Sequence, residues 1–350
     1  MKKYPLVSVL IPNYNYGHYL NQCLDSVLNQ TYPNYEVIFR DNDSTDNSYE
    51  IAMSYYEKFK EKGIYYSVIK NKKNVGSYSN SQLCLRESEA DFIIYLSSDD
   101  YLEPTFLEEC MGVMLNNNNI GMVMTHRNEV DGNGNVKIEP PFYNESFIVD
   151  GKAQAAVFMM AGIAVPSQVI YRKSVLVRIQ PFMLSFQVAG DWYQNFLVSC
   201  FSDVGYIKEP LCNYRVHSGN ETTSSEKNLL GIFEHYQLIN AFKSLGERLN
   251  MKLVVDRYEE AVKKLSTMCL RYTLKMFKDN KKEIAEKYLF LANVFDSNIV
   301  NNKDYIKMKK WLLLSDEELI KTVKSEQDIK RMQSYNPPKG YKKISCNKTY

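Results

Sequence analysis

Phe92-Ile93-Ile94-Tyr95-Leu96-Ser97-Ser98-Asp99-Asp100 decides how this chain is read. Apolar, aromatic and β-branched residues run straight into two serines and two carboxylates. A short apolar run of this make-up reads as a buried strand. In open α/β sheets, ligands bind beyond the carboxyl ends of the strands. A rigid strand that carries paired carboxylates to such an edge can hold a hard divalent cation, which takes oxygen ligands. The local alternative is that Asp99 and Asp100 open the next helix. Glu103-Pro104 follows them, and Pro suits a first helical turn.

Working back from this stretch, a strand over 6–11 stops at Pro12 and is followed by the loop 12–18. A helix over 19–29 carries Leu20, Cys23, Leu24, Val27 and Leu28 at helical spacing. A second strand, 35–40, ends at Asp41-Asn42-Asp43-Ser44-Thr45-Asp46. A helix over 48–60, a strand over 64–70, a turn at Asn74-Val75-Gly76 and a helix over 77–88 lead to the strand 92–96. Strand and helix alternate, which argues for an α/β fold: a mainly parallel, Rossmann-like sheet flanked by helices.

Working forward, the spacing predicts a helix over 104–116 and a strand over 121–126. A tight turn follows at Asp131-Gly132-Asn133-Gly134-Asn135. Residues 145–165 begin extended and continue as an Ala/Met-rich helix. Strands over 168–172 and 205–207, a helix over 191–202 and an extended segment over 211–217 complete this half. After Ser224 the composition changes. Residues 228–334 read as helical, with Lys/Glu-rich faces and an apolar stripe through Leu265, Met268, Cys269, Tyr272 and Met276. The expected organisation is an α/β domain over 1–224, an all-α region over 225–334, and a loose tail over 335–350 containing Pro337, Pro338 and Gly340.

At 350 residues with 45% hydrophobic content, the chain can bury a large core and suggests about two domains. The net charge of +2 shows no excess of the kind nucleic-acid binding needs. Charge is unevenly placed: residues 226–350 carry 25 Lys/Arg against 16 Asp/Glu, and residues 1–225 carry 18 against 25. The 7 cysteines are odd in number and scattered, without a zinc-binding spacing. Met1-Lys2-Lys3-Tyr4-Pro5 enters a strand without the apolar stretch of a signal peptide. The longest apolar run, 153–165, is too short to span a bilayer. The expected location is a reducing cytoplasm.

The loops 12–18, 41–46, 74–80 and 97–100 then gather at one sheet edge. Their aromatic faces, amides, carboxylates and glycine turn suit a nucleotide with a diphosphate and a metal. Val7-Ser8-Val9-Leu10-Ile11-Pro12-Asn13-Tyr14-Asn15, Ser26-Val27-Leu28-Asn29-Gln30-Thr31-Tyr32, Asp41-Asn42-Asp43-Ser44-Thr45-Asp46 and Ser98-Asp99-Asp100 occur in the order and spacing of glycosyltransferase family 2. Residues 5–220 resemble this family.

The resemblance implies a GT-A type fold over 1–224 and an inverting, one-step transfer. The donor it implies is a nucleotide-sugar, a UDP-hexose or UDP-N-acetylhexosamine, with Mn2+ or Mg2+ as cofactor. The acceptors it leaves open are a bacterial surface glycan, a lipid-linked glycan and a protein such as flagellin. Carried over residue by residue, Pro12, Tyr14 and Asn15 fall in the base-binding loop, with Tyr14 offering a face for stacking. Asp41 and Asn42 match the usual Asp-Asp pair; Asn42 departs from it but keeps a carbonyl acceptor. Asn74, Gly76 and Asn80 match the third loop, where Gly76 lets backbone approach a ligand. Ser98 and Asp99 are assigned to the donor, Asp100 to the metal, and Ser97 replaces the first Asp of the fuller motif.

Ala189-Gly190-Asp191-Trp192 resembles the start of the acceptor-side helix, which makes Asp191 the general base, with Trp192 and Gln168 on the acceptor side. Tyr214-Arg215-Val216-His217 resembles an element near the end of the catalytic domain. His217 is assigned to the metal and Arg215 to phosphate. Ser97 and Asn42 favour an alternative of another class, a transferase-like scaffold that has lost catalysis. The helical half has two readings: an acceptor-binding surface at the inner membrane face, through its Lys excess, or a lid or homo-oligomerisation module.

Overall fold

The computed structural model describes residues 4–217, 219–326 and 334–344. Its strands are β1 (Val7–Asn13), β2 (Tyr35–Asp41), β3 (Tyr65–Lys70), β4 (Phe92–Tyr95), β5 (Tyr101–Leu102), β6 (Ile120–Asp131), β7 (Val136–Lys137), β8 (Phe147–Val149), β9 (Val169–Arg172), β10 (Asp203–Val216) and β11 (Lys342–Lys343). They form one sheet in the order β11-β8-β10-β6-β9-β4-β1-β2-β3, with β5 on β10 and β7 on β6. β1 pairs in parallel with β2 and β4, β2 with β3, and β6 with β10. β9 runs antiparallel between β4 and β6. The six other strands named in these pairings therefore all point the same way. Their carboxyl ends share one edge, as the expected α/β architecture requires.

Side chains alternate across a strand, and the core follows that rule. Val7, Val9 and Ile11 enter one apolar layer and Leu10 the other. The first layer is covered by helix Gly17–Leu28, whose Leu20, Cys23, Leu24 and Val27 are buried, and by helix Phe106–Asn116. The second is covered by helices Ser77–Glu87, Gly151–Phe158 and Gly190–Phe201. It continues without a break into helices Leu230–Arg248, Tyr258–Lys278, Lys282–Phe295, Lys303–Trp311 and Asp316–Lys324. Phe242 stacks on Phe196 with ring centroids 3.8 Å apart. Composition changes near Ser224, but the core passes straight through.

The structure differs from the expectation in ways that shape the site. The segments 205–207 and 211–217 are a single strand. Pro210, which has no N–H to give a ladder, sits between register shifts in the pairing with β6. β6 runs on to Asp131 rather than stopping at 126. Residues 334–344 are not a loose tail: Tyr335 N–H donates to Phe142 O at 2.7 Å, and β11 pairs with β8. That pairing satisfies backbone groups at an otherwise open sheet edge. The remainder of the expected tail, 345–350, and residues 327–333 of the expected helical region lie outside the described residues. Cys346 lies there too; the six other cysteines are free and buried. No helix among the described residues is long and apolar enough to cross a membrane.

Candidate active site

The carboxyl ends of β1 and β2 are stitched together by side chains. Asn13 Nδ2 donates to Asp41 Oδ1 at 3.0 Å and to Ser44 Oγ at 3.2 Å. Asp41 Oδ2 accepts the Ser44 N–H at 2.9 Å. Asp41 is therefore buried and fully engaged. Asn15, in the left-handed region at φ 58°, accepts the Thr45 N–H at 2.8 Å and braces the second loop from the first. Tyr14 is 43% exposed beside this network, and Pro12 precedes it at the strand end.

An amide network ties the second loop to the third. Asn42 Oδ1 accepts from Asn71 Nδ2 at 2.9 Å and from the Val75 N–H at 3.0 Å, and its Nδ2 donates to Asn74 Oδ1 at 2.9 Å. Asn80 is buried, accepts from Asn71 at 2.9 Å and donates to Arg40 O at 3.1 Å. Gly76 has φ 85°, which only glycine adopts cheaply, and opens helix Ser77–Glu87. Asn42, Asn74 and Asn80, the three amides assigned to the donor, also hold the loops in place.

Past β4 the two carboxylates part company. Asp100 is 1% exposed. Its Oδ2 accepts the Ser167 hydroxyl at 2.6 Å and its Oδ1 accepts the Arg215 backbone N–H at 2.8 Å. β5, immediately after it, pairs with β10 and draws Asp100 inward. Burial, then the neighbouring Asp99 charge, push the Asp100 carboxyl well above the ordinary range, against the opposing pull of Ser167, Arg215 and Arg127. Asp99 takes the position expected of Asp100: its Oδ2 lies 3.2 Å from His217 Nε2 and 3.4 Å from Asn220 Nδ2. His217 sits among rings, 5.2 Å from Tyr19 and 5.6 Å from Tyr16 between centroids.

Arg215 was expected to reach phosphate and is instead turned into the fold. Its Nε donates to Asp99 O at 2.8 Å, Nη1 to Asp131 O at 3.1 Å and Nη2 to Gln22 Oε1 at 2.6 Å, and its guanidinium lies 4.4 Å over the Tyr19 ring. It clamps the Asp99 main chain to the ends of β6 and β10. Gln168 is likewise engaged, accepting from Arg127 Nη1 at 2.7 Å and the Val165 N–H at 3.0 Å, and donating to Thr125 O at 2.7 Å. It therefore holds Arg127, where an acceptor contact was expected.

Asp191 stands in the first turn of helix Gly190–Phe201, half-buried, with the Trp192 N–H on Oδ1 at 2.7 Å. Burial pushes its carboxyl up to about 6, against the opposing pull of the Trp192 N–H and Arg127. Trp192 turns into the fold: its indole N–H donates to Phe158 O at 2.7 Å and its ring packs 5.3 Å from His235. It is a core residue.

Arg127, Ser167 and Asn220 join the site without standing out in the sequence. Arg127 acts electrostatically on both Asp100 and Asp191 and lies 4.7 Å over the Tyr214 ring. It lies on β6 one residue past the expected end of that strand. Ser167 and Asn220 carry no motif; they matter because the chain brings them to Asp100 and Asp99. Two buried polar atoms at this edge, Asn13 Oδ1 and Ser98 Oγ, have no hydrogen-bond partner among the described residues. Buried groups are normally paired, so these two atoms are open to a polar partner.

Among the described residues, no three His, Cys, Asp or Glu side chains form a complete metal-ligand set. Asp99 and His217 offer a partial one. A hard dication held by a carboxylate or two and otherwise by substrate phosphates fits such a site.

Residues 8–179 match the model of "Glycosyl transferase family 2". An uncharacterized glycosyltransferase of Haemophilus influenzae is 36% identical over 133 residues, 37% of this chain. The chain spans half of that relative's length. Two solved structures share the fold. TarS residues 1–349 from S. aureus, in complex with UDP, superpose with a TM-score of 0.56 at 15% identity, over 90% of this chain and 91% of that one. The mannosyltransferase PcManGT from Pyrobaculum calidifontis, with GDP-Man and Mn2+, gives 0.54 at 14% identity over 92% and 87%. The matched stretch, just under half of the chain, holds the first four loops, from Pro12 to Asp100, and over these residues the chain carries a glycosyltransferase family 2 domain.

Proposed function

We propose that this chain transfers a sugar, with inversion, from a nucleoside-diphosphate donor to an acceptor hydroxyl. The observation that carries the reading is the placement of Arg127: Gln168 Oε1 holds its Nη1 at 2.7 Å, it lies 4.7 Å over the Tyr214 ring, and its charge pulls down both the Asp191 and the Asp100 carboxyls. The candidate base and the candidate diphosphate-end cluster thus both lie within the field of one guanidinium. Asp191 takes the proton from the acceptor hydroxyl as that oxygen attacks C1 of the sugar. The C1–O bond to the diphosphate breaks as the new C1–O bond forms, and the nucleoside diphosphate leaves with the electron pair. One base and one displacement invert C1. A carboxyl near 6 suits the role, because it is ionised at neutral pH yet basic enough to accept a proton.

Asp99 and His217 would hold a Mn2+ or Mg2+ ion together with the diphosphate oxygens. Such an ion offsets the charge left on the departing diphosphate. Asn220 and the Arg215 clamp hold Asp99 in place for this. Tyr14 presents a ring for the base, with the unpaired Asn13 Oδ1 and Ser98 Oγ at the same edge. A UDP-hexose or UDP-N-acetylhexosamine is the proposed donor, and TarS, which shares the fold, was solved with UDP. The acceptor classes remain a surface glycan, a lipid-linked glycan or a protein.

A thermal-shift screen of UDP- and GDP-sugars, with Mn2+, Mg2+ or EDTA, tests the donor half. The expected result is a rise in Tm with UDP-sugars that EDTA removes. No stabilisation by any nucleotide with any metal would refute it and favour the scaffold reading.

A further inference from the structure

Glu234 lies on helix Leu230–Arg248, in the part of the chain expected to be a lid, oligomerisation module or acceptor surface. It is 6% exposed, an acid on a stripe otherwise made of Gly231, Ile232, Leu238, Ile239 and Phe242. Its carboxylate accepts three consecutive backbone N–H groups. Gln187 donates to Oε1 at 2.6 Å, and Val188 and Ala189 donate to Oε2 at 2.7 and 3.0 Å. Among the described residues, 184–189 make no other backbone N–H bond.

These amides end two residues before Asp191. On the far side of Asp191 the same helix holds the chain again: His235 and Phe242 pack 5.3 and 6.1 Å from Trp192, and the Tyr193 ring stacks on Phe242 at 6.1 Å. Charge-assisted bonds to a buried carboxylate are strong and directional. They fix a segment that otherwise ends in exposed loop, since Gln187 faces solvent.

We propose that Glu234 is a positioning residue for the transfer step: it fixes the 187–189 segment so that the Asp191 carboxylate is held toward the acceptor hydroxyl. This rests on the reading of Asp191 as the base. It gives the helical half a direct role in the chemistry of the α/β half. The titratable and charged groups facing Asp191 are Arg127, Tyr171 and Tyr214, with His235 behind it on the Glu234 helix. A displacement of Asp191 changes its distance to each of them, so it registers in the pH profile as well as in rate.

The test compares the full chain with its Glu234→Gln, Glu234→Asp and Asp191→Asn variants. UDP release from UDP-glucose and UDP-N-acetylglucosamine is followed with MnCl2 across pH 5–8, alongside amide hydrogen exchange of residues 184–190. Gln presents an NH2 group to one of the donated N–H groups, so it loosens the segment at nearly constant volume. The expected result for Glu234→Gln is faster exchange at 184–190, kcat lowered about tenfold or more with donor KM within twofold, and a displaced acid limb. Glu234→Asp keeps the charge and recovers part of the kcat, which a merely structural role would not show below the melting transition. If Glu234→Gln fails to fold, Glu234→Asp with the same readouts decides. Wild-type kcat and pH profile in a folded Glu234 variant, with Asp191→Asn inactive, would overturn the positioning role alone. Full activity in Asp191→Asn, or no release by the unaltered chain, would overturn the base reading and the proposal with it.

Discussion

Exchanging each carboxylate at the end of β4 for its amide separates their roles. Asp100→Asn and Asp99→Asn each remove one charge from the same pair, so relief of repulsion is common to both. What differs is the surroundings. At position 100 the single remaining carbonyl oxygen can accept the Arg215 N–H, and the new NH2 then faces Ser167 Oγ. That oxygen already accepts the Ser97 N–H at 3.0 Å, and Ser167 is fully buried, so its hydroxyl hydrogen is left without an acceptor. One buried orphan donor costs about 1–3 kcal/mol. At about 2.1 cal/mol/K per residue over 350 residues, this lowers Tm by about 1–4 °C relative to Asp99→Asn. Asp99→Asn leaves no buried donor stranded, because its partners His217 and Asn220 are partly exposed. Differential scanning calorimetry with and without MnCl2 and UDP reads both effects. The expected pattern is that Asp100→Asn melts lower but keeps its metal-dependent rise, while Asp99→Asn loses the rise. Equal melting, or loss of the metal response in Asp100→Asn alone, refutes the exchange of roles.

Other perturbations follow from the same geometry. With the Asp191 carboxyl at about 6, kcat/KM should fall as pH drops through about 6, because the base must be ionised; Asp191→Asn should remove that limb and lower turnover about 10²–10⁴-fold in a pH series of nucleotide release. Arg127 holds the Asp191 carboxyl down, so Arg127→Gln should move the limb to higher pH in the same assay. Gly151 opens its helix against the end of the helix that carries Asp191: an added Cβ would lie 1.9 Å from Ser202 O and 2.1 Å from Ser199 O. Gly151→Ala should therefore cost about 1–3 kcal/mol or more in urea unfolding, and a wild-type midpoint would contradict the packing.

Much of the fold was legible because periodicity carried it. The apolar runs at 6–11, 35–40 and 92–96 and the spacing of Leu20, Cys23, Leu24 and Val27 lead directly to β1, β2, β4 and the first helix. The gathering of loops at one edge followed from strand order alone. What did not follow was the direction of side chains within those loops. Asp99 and Asp100 are adjacent acids in the sequence. Only β5, two residues long and without a pattern of its own, turns one inward to Ser167 and leaves the other facing His217. Arg215 reads as a phosphate contact in an extended segment until three distant oxygens surround it. Arg127 lay beyond the expected end of its strand. Glu234 did leave a signal, an acid on the buried stripe of its helix, but its partners are backbone N–H groups that no sequence pattern displays.

The helical half illustrates the same limit. Its Lys-rich faces suggest membranes and acceptors, yet it reaches the α/β half through a buried carboxylate beside the candidate base. Composition locates a boundary near Ser224, whereas packing shows the two halves sharing one apolar layer.

Nucleoside-diphosphate release from UDP-sugars, compared between the unaltered chain and Asp191→Asn at saturating MnCl2, tests the central claim most directly. The account predicts metal-dependent release by the unaltered chain, and loss of release in a variant that still binds UDP with unchanged affinity. Release at the same rate by both, or by neither with any donor, would contradict it.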